Sequence, residues 1–596
     1  KLKPEPNVSL IAGNAMKPDA LASCMAGSMA SIFVSCTYGE GEMPEMIAKA
    51  WEFFESSDDA LFADKNLKYA VFGLCSSRYD VGDQYNRAAR RFDRRLEELG
   101  GQRMVEVGAG DDQNSEGYRG ALDPWLEQLM PKLFATGAAK TSLLDPPEPL
   151  FKINLAPSSH SNTNFRPLPP CYHFISLESF KSCVSEGYER PAGVFNFSLK
   201  DTGLIYKCGD HLAILPRNPT ESVDSILALY GETLQGSQLL TIQTMDVNAD
   251  CPFPKVLSIR ELLTQYLDLC GRPSRQFFKL MFMFARGGET RKRLRSLFER
   301  DSKDSISQEE FDTYTDQNTY ADVLCEFAKE ALPPFEYLLS MIPLNTPRFY
   351  SIASSPLDGE EKLELLVVKN MWNDSAKKAR VGLNTKYMFE QSKPGDLFAV
   401  QIHTGILQPP EEEEDLDTPV IMLGLGAGLA PFVGFLQHRQ GQMKKLRDEA
   451  LAEGSEPKKL GPATLYFGTR HRAHDYYLED YFQECLKDGS LTAIYTAFSR
   501  DGLSPSGKKQ YIYNAITENP LGFAKGLELD KAPEESKSNK ARCYYCGSAN
   551  GIPEAIQDSM MEALVSKDGL AMRRERAKEY MDLLVNIDKR FHSECF

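Results

Sequence analysis

The sequence predicts a multidomain chain of α/β and β class. Two α/β units with parallel sheets lie at the ends, and an all-β block interrupted by helices lies between them. Three observations predict this. At 596 residues the chain exceeds one core and suggests about three or four domain-sized units. Strand-like runs alternate with helical runs near both ends, the rhythm of a parallel sheet. Alternating runs in the middle bracket a stretch whose apolar residues recur at helical period.

In residues 1–135, SIFVSCTY and YAVFGLCSS read as strands, and EMIAKAWEFFES and RAARRFDRRLEELGG as helices. Residues 136–170 are rich in Pro, Ser and Asn and read as an ordered-to-loose connector. Residues 171–218 return to strands and end in IYKCGDHLAILP. Helical periods run over 219–335, as in ESVDSILALYGETL and TYADVLCEFAKEA. Strands resume over 336–415 at PRFYSIASSP and KLELLVVKNMW, and EEEED at 411–415 reads as a solvated loop or strand end. In 416–596 the strand candidates are PVIMLGLG, ATLYFGTR, LTAIYTAFS and ARCYYCGS.

The net charge of −16 argues against a nucleic-acid partner, because phosphate binding needs a basic face. No run of 18 apolar residues occurs, so the reading contains no membrane span. The 13 cysteines are scattered and odd in number, which favours free thiols in a reducing compartment. Cys543 and Cys546 have C-x-x-C spacing but lie on a strand, where residues i and i+3 face opposite ways. No metal site is expected. DSKDSISQEEFD at 301–312 imitates a calcium loop, yet Ile306 stands where Gly is required. Ser307 to Glu310 reads instead as a helix capping box. His471 and His474 read as surface residues.

The chemistry concentrates at strand ends. VIMLGLGAGLAPFVGFLQ carries Gly424, Gly426 and Gly428, but a G-x-G-x-x-G fingerprint would need its last glycine at Leu429. TAFSRDGLSPSGKKQYIY places Ser499, Arg500, Lys509 and Tyr511 after a strand, a set suited to a phosphomonoester or to a solvated basic loop. In RFYSIASSP, Arg348 and Tyr350 share one strand face and Ser351 takes the other. VGLNTKYM offers a Gly382-led turn whose N–H groups and Thr385 suit a phosphate. In the first unit, Tyr38 and Gly39 of SCTYGEGEMPE, Tyr79 of GLCSSRYD and Asp111 of VGAGDDQN end successive strands. Together they suit a sandwiched planar cofactor.

R-x-Y-S, G-x-G-x-G-x-A-P-F, S-R…K-x-Y and Y-x-C-G, in this order, resemble the diflavin reductases, and the resemblance covers essentially the whole chain. It implies an incomplete flavodoxin-like domain, an FAD-binding β-barrel with a helical insertion, and a ferredoxin-reductase-type NADP-binding α/β domain. It implies FAD, FMN and NADPH as cofactors, with electrons passing from NADPH to FAD to FMN. The acceptor implied is a protein-bound centre in a haem or iron–sulfur protein or a fused domain. By resemblance Arg348, Tyr350, Ser351, Gly382 and Thr385 hold FAD, and Tyr38, Gly39, Tyr79 and Asp111 surround FMN. Gly424, Gly426 and Gly428 form the pyrophosphate loop, where Gly426 and Gly428 let backbone approach the phosphates. Ser499, Arg500, Lys509 and Tyr511 bind the 2′-phosphate. Ser351, Cys546 and Glu594 surround the hydride path, and Phe596 stacks on FAD.

Glu594 stands where the family usually has Asp, and Phe596 where Trp is frequent. Tyr513 and Ser548 also depart from the family pattern. VSLIAGNAM resembles the second flavodoxin strand, and the first strand with its phosphate loop is not in this sequence. Either the chain is a fragment of a longer polypeptide, which the two retained Tyr-bearing loops favour, or the domain has lost its flavin; a large fusion would explain a start at Lys1. Cytoplasmic and organellar compartments both remain open, with any anchor upstream. Two alternatives stand beside this reading: a reductase holding FAD alone, with the first unit as a docking module, and a non-catalytic module of a larger complex.

Overall fold

The structure is a computed structural model. It describes residues 25, 30–37, 41, 43–58, 61–63, 67–77, 84–114, 116–133, 146–156, 171–231, 234–245, 251–300, 302–411, 415–502, 509–530, 540–549 and 551–595. VSLIAGNAM, Tyr38, Gly39, Tyr79, Phe596 and most of the 136–170 connector lie outside the described residues.

In the first unit, β1 (Ser31–Cys36), β2 (Lys68–Cys75), β3 (Gln102–Arg103) and β4 (Gly108–Asp111) form a parallel sheet. β2 lies between β1 and the β3/β4 edge, in the register Ser31 to Tyr69 and Phe72 to Gly108. Helix Arg87–Glu98 buries Ala89, Phe92 and Leu96 against one face, and Trp125 and Leu129 of helix Arg119–Leu133 cover Phe72 on the other. This is the parallel arrangement that the βαβα rhythm requires, with side chains packed on both faces.

The connector differs from its sequence reading. Phe151–Leu155 forms β5, which pairs antiparallel with β9 (Leu239–Thr244), and β9 pairs with β10 (Val256–Ser258). The 219–335 block is therefore helical with a small sheet at its margin. Phe151 and Ile153 pack against the helical core, giving this short run tertiary support that its composition does not announce. Among the described residues, six helices of seven or more residues fill the block, including Arg275–Phe284 and Tyr320–Ala331, around Phe277, Phe278 and Leu324. Ser307 and Glu310 do form a capping box at the start of helix Gln308–Gln317. Glu116, from the loop after β4, pairs with Arg275 at 2.7 Å and Arg300 at 2.6 Å. These ion pairs, with Glu116 and Arg275 almost wholly buried, join the first unit to the helical block.

The all-β block is a six-stranded antiparallel sheet. Its members are β6 (His173–Ser182), β7 (Ala192–Ser198), β8 (His211–Ile214), β11 (Arg348–Ser351), β12 (Lys362–Val368) and β15 (Leu397–His403). The order is β11-β8-β15-β6-β7-β12. The two edges touch at a bridge between Ile352 and Leu365, so the sheet curls back around Phe195, Phe197 and Phe398. Between β12 and β15, β13 (Met371–Asn373) and β14 (Ala379–Val381) form a hairpin.

The last unit is a five-stranded parallel sheet in the order β18-β17-β16-β19-β20. Its strands are β16 (Val420–Leu425), β17 (Ala463–Thr469), β18 (Ala493–Phe498), β19 (Arg542–Gly547) and β20 (Phe591–Cys595). Cys543 and Cys546 enter core clusters on opposite faces of this sheet, as strand geometry dictates. Every described cysteine is a free thiol. No helix among the described residues is long and apolar enough to cross a membrane.

Candidate functional site

The carboxyl ends of the last sheet open toward the curled sheet, the position where open α/β sheets bind ligands. A cavity of about 1030 Å³ fills the junction. Arg348, Tyr350, Ser351, Gly382 and Thr385 line it from one side, and Gly426, Ser499, Tyr511 and Glu594 from the other. The sequence separates these residues by hundreds of positions, and the fold brings them to one wall.

At the centre, two cross-strand pairs face each other. Ser351 of β11 lies opposite His211 of β8, and Cys546 of β19 lies opposite Glu594 of β20. Glu594 Oε1 contacts His211 Nε2 at 2.5 Å and accepts from Ser351 Oγ at 3.2 Å. Glu594 Oε2 is buried with no hydrogen-bond partner among the described residues. A buried acceptor left unsatisfied is costly, so this oxygen is suited to a donor on a ligand. Burial, with Glu594 and Cys595 adding to it, pushes the Cys546 thiol well above its ordinary range. Cys546 therefore stays protonated at neutral pH. His211 was not singled out from the sequence. Its strand IYKCGDHLAILP was recognised, but no spacing links it to a glutamate 383 positions away.

On the β11 side, Tyr350 is half-buried, and its hydroxyl accepts from Asn384 Nδ2 at 2.9 Å, which holds the ring. Burial pushes its phenol up to about 12. Arg348 donates to the Thr346 carbonyl and hydroxyl, both at 2.7 Å, and its side chain is exposed. Thr385 is already engaged, donating to the Gly382 carbonyl at 3.1 Å and accepting from Asn370 N at 3.2 Å. Its hydroxyl stabilises the turn, and the N–H groups of that turn are what can face a phosphate.

The three glycines divide their work. Gly426 has φ +58° and open space where a side chain would stand, and it lines the cavity. Only glycine adopts that conformation without strain. Gly428 has no such space, because a Cβ there would meet the Cys546 carbonyl oxygen at 2.0 Å. Gly424 packs against Leu429 and Phe432. Gly428 therefore has a packing role that the sequence reading did not give it. That residue lets the loop lie against β19.

Beyond Ser499 the wall is cationic. Arg190 and Arg470 line the cavity, while Arg500 and Lys509 are exposed. Burial, then Arg190 and Arg500, lower the pKa of the Arg470 guanidinium. Tyr511 is stacked on Tyr513 with ring centroids 5.4 Å apart. His471 and His474 lie at the surface, as expected from sequence, but both are engaged. His474 Nδ1 lies 2.8 Å from Ser185 Oγ, and His471 Nδ1 lies 2.8 Å from Asp501 Oδ1. These contacts join elements far apart in sequence, which local spacing cannot register.

In the first unit β1, β2 and β4 end side by side, as a shared ligand edge requires. Asp111 accepts from the backbone N–H of Ser77 at 2.9 Å and Gln113 at 3.0 Å. Burial alone would raise its carboxyl, but these N–H groups hold it below the usual range. Asp111 thereby ties two strand-end loops together.

Three family models match the chain in sequence order. They are flavodoxin over residues 7–125, an FAD binding domain over 173–387 and an oxidoreductase NAD-binding domain over 422–558. Among curated relatives, the mitochondrial pyruvate dehydrogenase [NADP(+)] of Euglena gracilis is 29% identical over 90% of this chain. The chain spans only 27% of that protein. The NADPH-dependent diflavin oxidoreductase 1 of Bos taurus is 28% identical, covering 91% of this chain and 87% of its own length. The NADPH–cytochrome P450 reductase of Drosophila melanogaster is 27% identical over 91% of this chain and 77% of its own.

Proposed function

The chain belongs to the diflavin reductase family, and we propose that it moves electrons from NADPH through FAD and FMN to a redox centre in a protein partner. The carrying observation is the meeting of Ser351 and His211 with Glu594 in one cavity, with Cys546 buried opposite Glu594. A flavin-side wall and a nucleotide-side wall thereby share a centre.

The donor set fits both coenzymes. Tyr350 presents a held ring to a flat ligand, and Arg348 with the Gly382 turn offers charge and N–H groups to a pyrophosphate. Gly426 admits a second pyrophosphate, and Ser499, Arg500, Lys509 and Tyr511 receive a ribose 2′-phosphate. Glu594 Oε2 accepts from the nicotinamide carboxamide, while Oε1 stays fixed by His211 and Ser351. The buried, protonated Cys546 adds no charge behind Glu594. When bound, the coenzymes supply the hydride and single-electron chemistry, and the chain supplies position and exclusion of water. Asp111 holds the strand-end loops of the first unit, and by the family resemblance Tyr38, Gly39 and Tyr79 are further FMN contacts. By the family resemblance, Phe596 stacks on FAD.

The Euglena relative is named for NADP(+), which supports a second reading in which the same path runs from a fused donor to NADP(+). Free thiols support a reducing compartment. The test of the nucleotide end is Arg500→Ala. One charge-assisted contact contributes roughly 1.5–3 kcal/mol, so the KM for NADPH rises about 10- to 150-fold while that for NADH is unchanged. Equal changes for both coenzymes refute the 2′-phosphate assignment. Extraction of FAD and FMN in near-equal amounts supports the diflavin reading, and FAD alone supports the docking-module alternative.

A further inference from the structure

The cation cluster at the nucleotide end already contains an anion. Glu189 Oε1 lies 3.2 Å from Arg470 Nη1 and 3.8 Å from Arg500 Nη1, so one carboxylate oxygen serves two guanidiniums. Glu189 comes from the turn between β6 and β7, whereas both arginines come from the last unit.

That turn is fixed in place by four contacts. Ser185 N donates to the His474 carbonyl at 3.0 Å, and Ser185 Oγ meets His474 Nδ1 at 2.8 Å. Tyr188 stacks on His474 with centroids 5.5 Å apart and planes 9° from parallel. Its hydroxyl donates to Asp475 Oδ2 at 3.0 Å. Arg500 is held from the other direction, since its N–H donates to the Arg470 carbonyl at 2.9 Å. Asp501, its neighbour, faces away toward His471 and the Arg472 N–H. The backbones carrying Glu189 and Arg500 are therefore fixed, and the side chains hold the remaining freedom.

We propose that Glu189 is a specificity-determining residue, an internal carboxylate that competes with the ribose 2′-phosphate for Arg470 and Arg500 and so tempers the preference for NADP(H) over NAD(H). This rests on the 2′-phosphate reading of Arg500 given above. A phosphate dianion entering the cluster either displaces the Glu189 side chain or binds beside a like charge. Both routes weaken binding of the phosphorylated nucleotide and leave the unphosphorylated one untouched. The Glu189 side chain is 66% exposed and that of Arg500 50%. Water therefore screens the contact, and a rotamer change suffices to open it. Exposed pairs of this kind are weak, so the effect amounts to about two- to fivefold in dissociation constant.

The experiment measures dissociation constants of NADP+ and NAD+ for the full chain carrying Glu189→Gln, Glu189→Ala or Arg500→Ala, at low and high salt. Both Glu189 variants are expected to bind NADP+ about two- to fivefold tighter at low salt. The gain shrinks at high salt, and NAD+ binding is unchanged. Equal or weaker NADP+ binding in both variants overturns the proposal, because Glu189 then orients the arginines instead of blocking them. An equal gain for NAD+ overturns it as well. Arg500→Ala separates the two layers. If it weakens NADP+ binding while the Glu189 variants gain nothing, only the role of Glu189 falls. If it leaves NADP+ binding intact, the phosphate assignment falls first.

Discussion

Replacing Gly428 by alanine adds one methyl group where there is no room for it. Its Cβ would stand 2.0 Å from the Cys546 carbonyl oxygen, 2.5 Å from that carbonyl carbon and 3.0 Å from Gly547 N. Non-bonded heavy atoms settle at about 3.5–4.0 Å, so the loop and β19 must separate by more than about 1 Å. Neither obstacle is a side chain that can rotate away. β19 is an interior strand, held between β16 and β20, and its displacement carries Cys546 and the facing Glu594 with it. Overpacking of this kind costs about 1–3 kcal/mol. A displacement of about 1 Å at a reacting centre costs on the order of 10²-fold in rate. Gly426→Ala is the control. It meets nothing within 4 Å, and its penalty is confined to φ +58°, about 1–2 kcal/mol. The assay pairs stopped-flow flavin reduction by NADPH with denaturant unfolding of the last unit. Gly428→Ala is expected to lose both rate and stability, and Gly426→Ala mainly a little stability. If Gly428→Ala matches wild type in both measurements, or Gly426→Ala reduces the rate more, the packing argument is wrong.

Two further outcomes follow from the same geometry. In His211→Ala, Glu594 Oε1 loses one of its two partners and keeps only Ser351, and a buried carboxylate short of a donor costs about 1–3 kcal/mol. Flavin reduction is expected to slow about 10- to 100-fold with flavin content retained, and Gln at this position restores part of the rate. An unchanged rate in the alanine variant removes His211 from the site. His438, in helix Ala430–Glu453, is buried beside Ser355, and burial followed by Arg439 lowers its pKa to about 4 from 6.5. The unfolded chain therefore takes up a proton that the folded chain refuses. Stability falls as pH drops from about 6.5 to about 4, by up to about 3 kcal/mol, and this contribution is constant above and below that window. Hydrogen exchange in that helix at pH 7 and pH 4.5 checks it, and His438→Gln is expected to flatten the slope. Parallel slopes in the two proteins would refute the linkage.

Much of the site was legible because strand ends announce themselves locally. Gly426 follows an apolar run and precedes a helix, Ser499 and Arg500 close a strand, and Arg348 and Tyr350 share a face by the two-residue repeat. The capping box at Ser307 and Glu310 and the opposed faces of Cys543 and Cys546 are likewise short-range facts, and both hold in the structure. The sequence reading fell short where a neighbour distant in the chain decides. Phe151–Leu155 becomes a strand because β9 offers an edge, and Gly428 is fixed by the carbonyl of Cys546. His211 acquires its role from Glu594, 383 residues away.

The sequence by itself determined the order of the units, the glycine and basic motifs at their strand ends, and the chemical types available for binding. These follow from periodicities of two and 3.6 residues and from backbone freedom at single positions. The tertiary structure alone decided which walls share a cavity and which oxygen of Glu594 remains unsatisfied. It also decided that Glu189 reaches across from the curled sheet to Arg470 and Arg500. Such relations depend on contacts between segments hundreds of residues apart, which arise when separate hydrophobic faces pack and leave no short-range pattern in the chain.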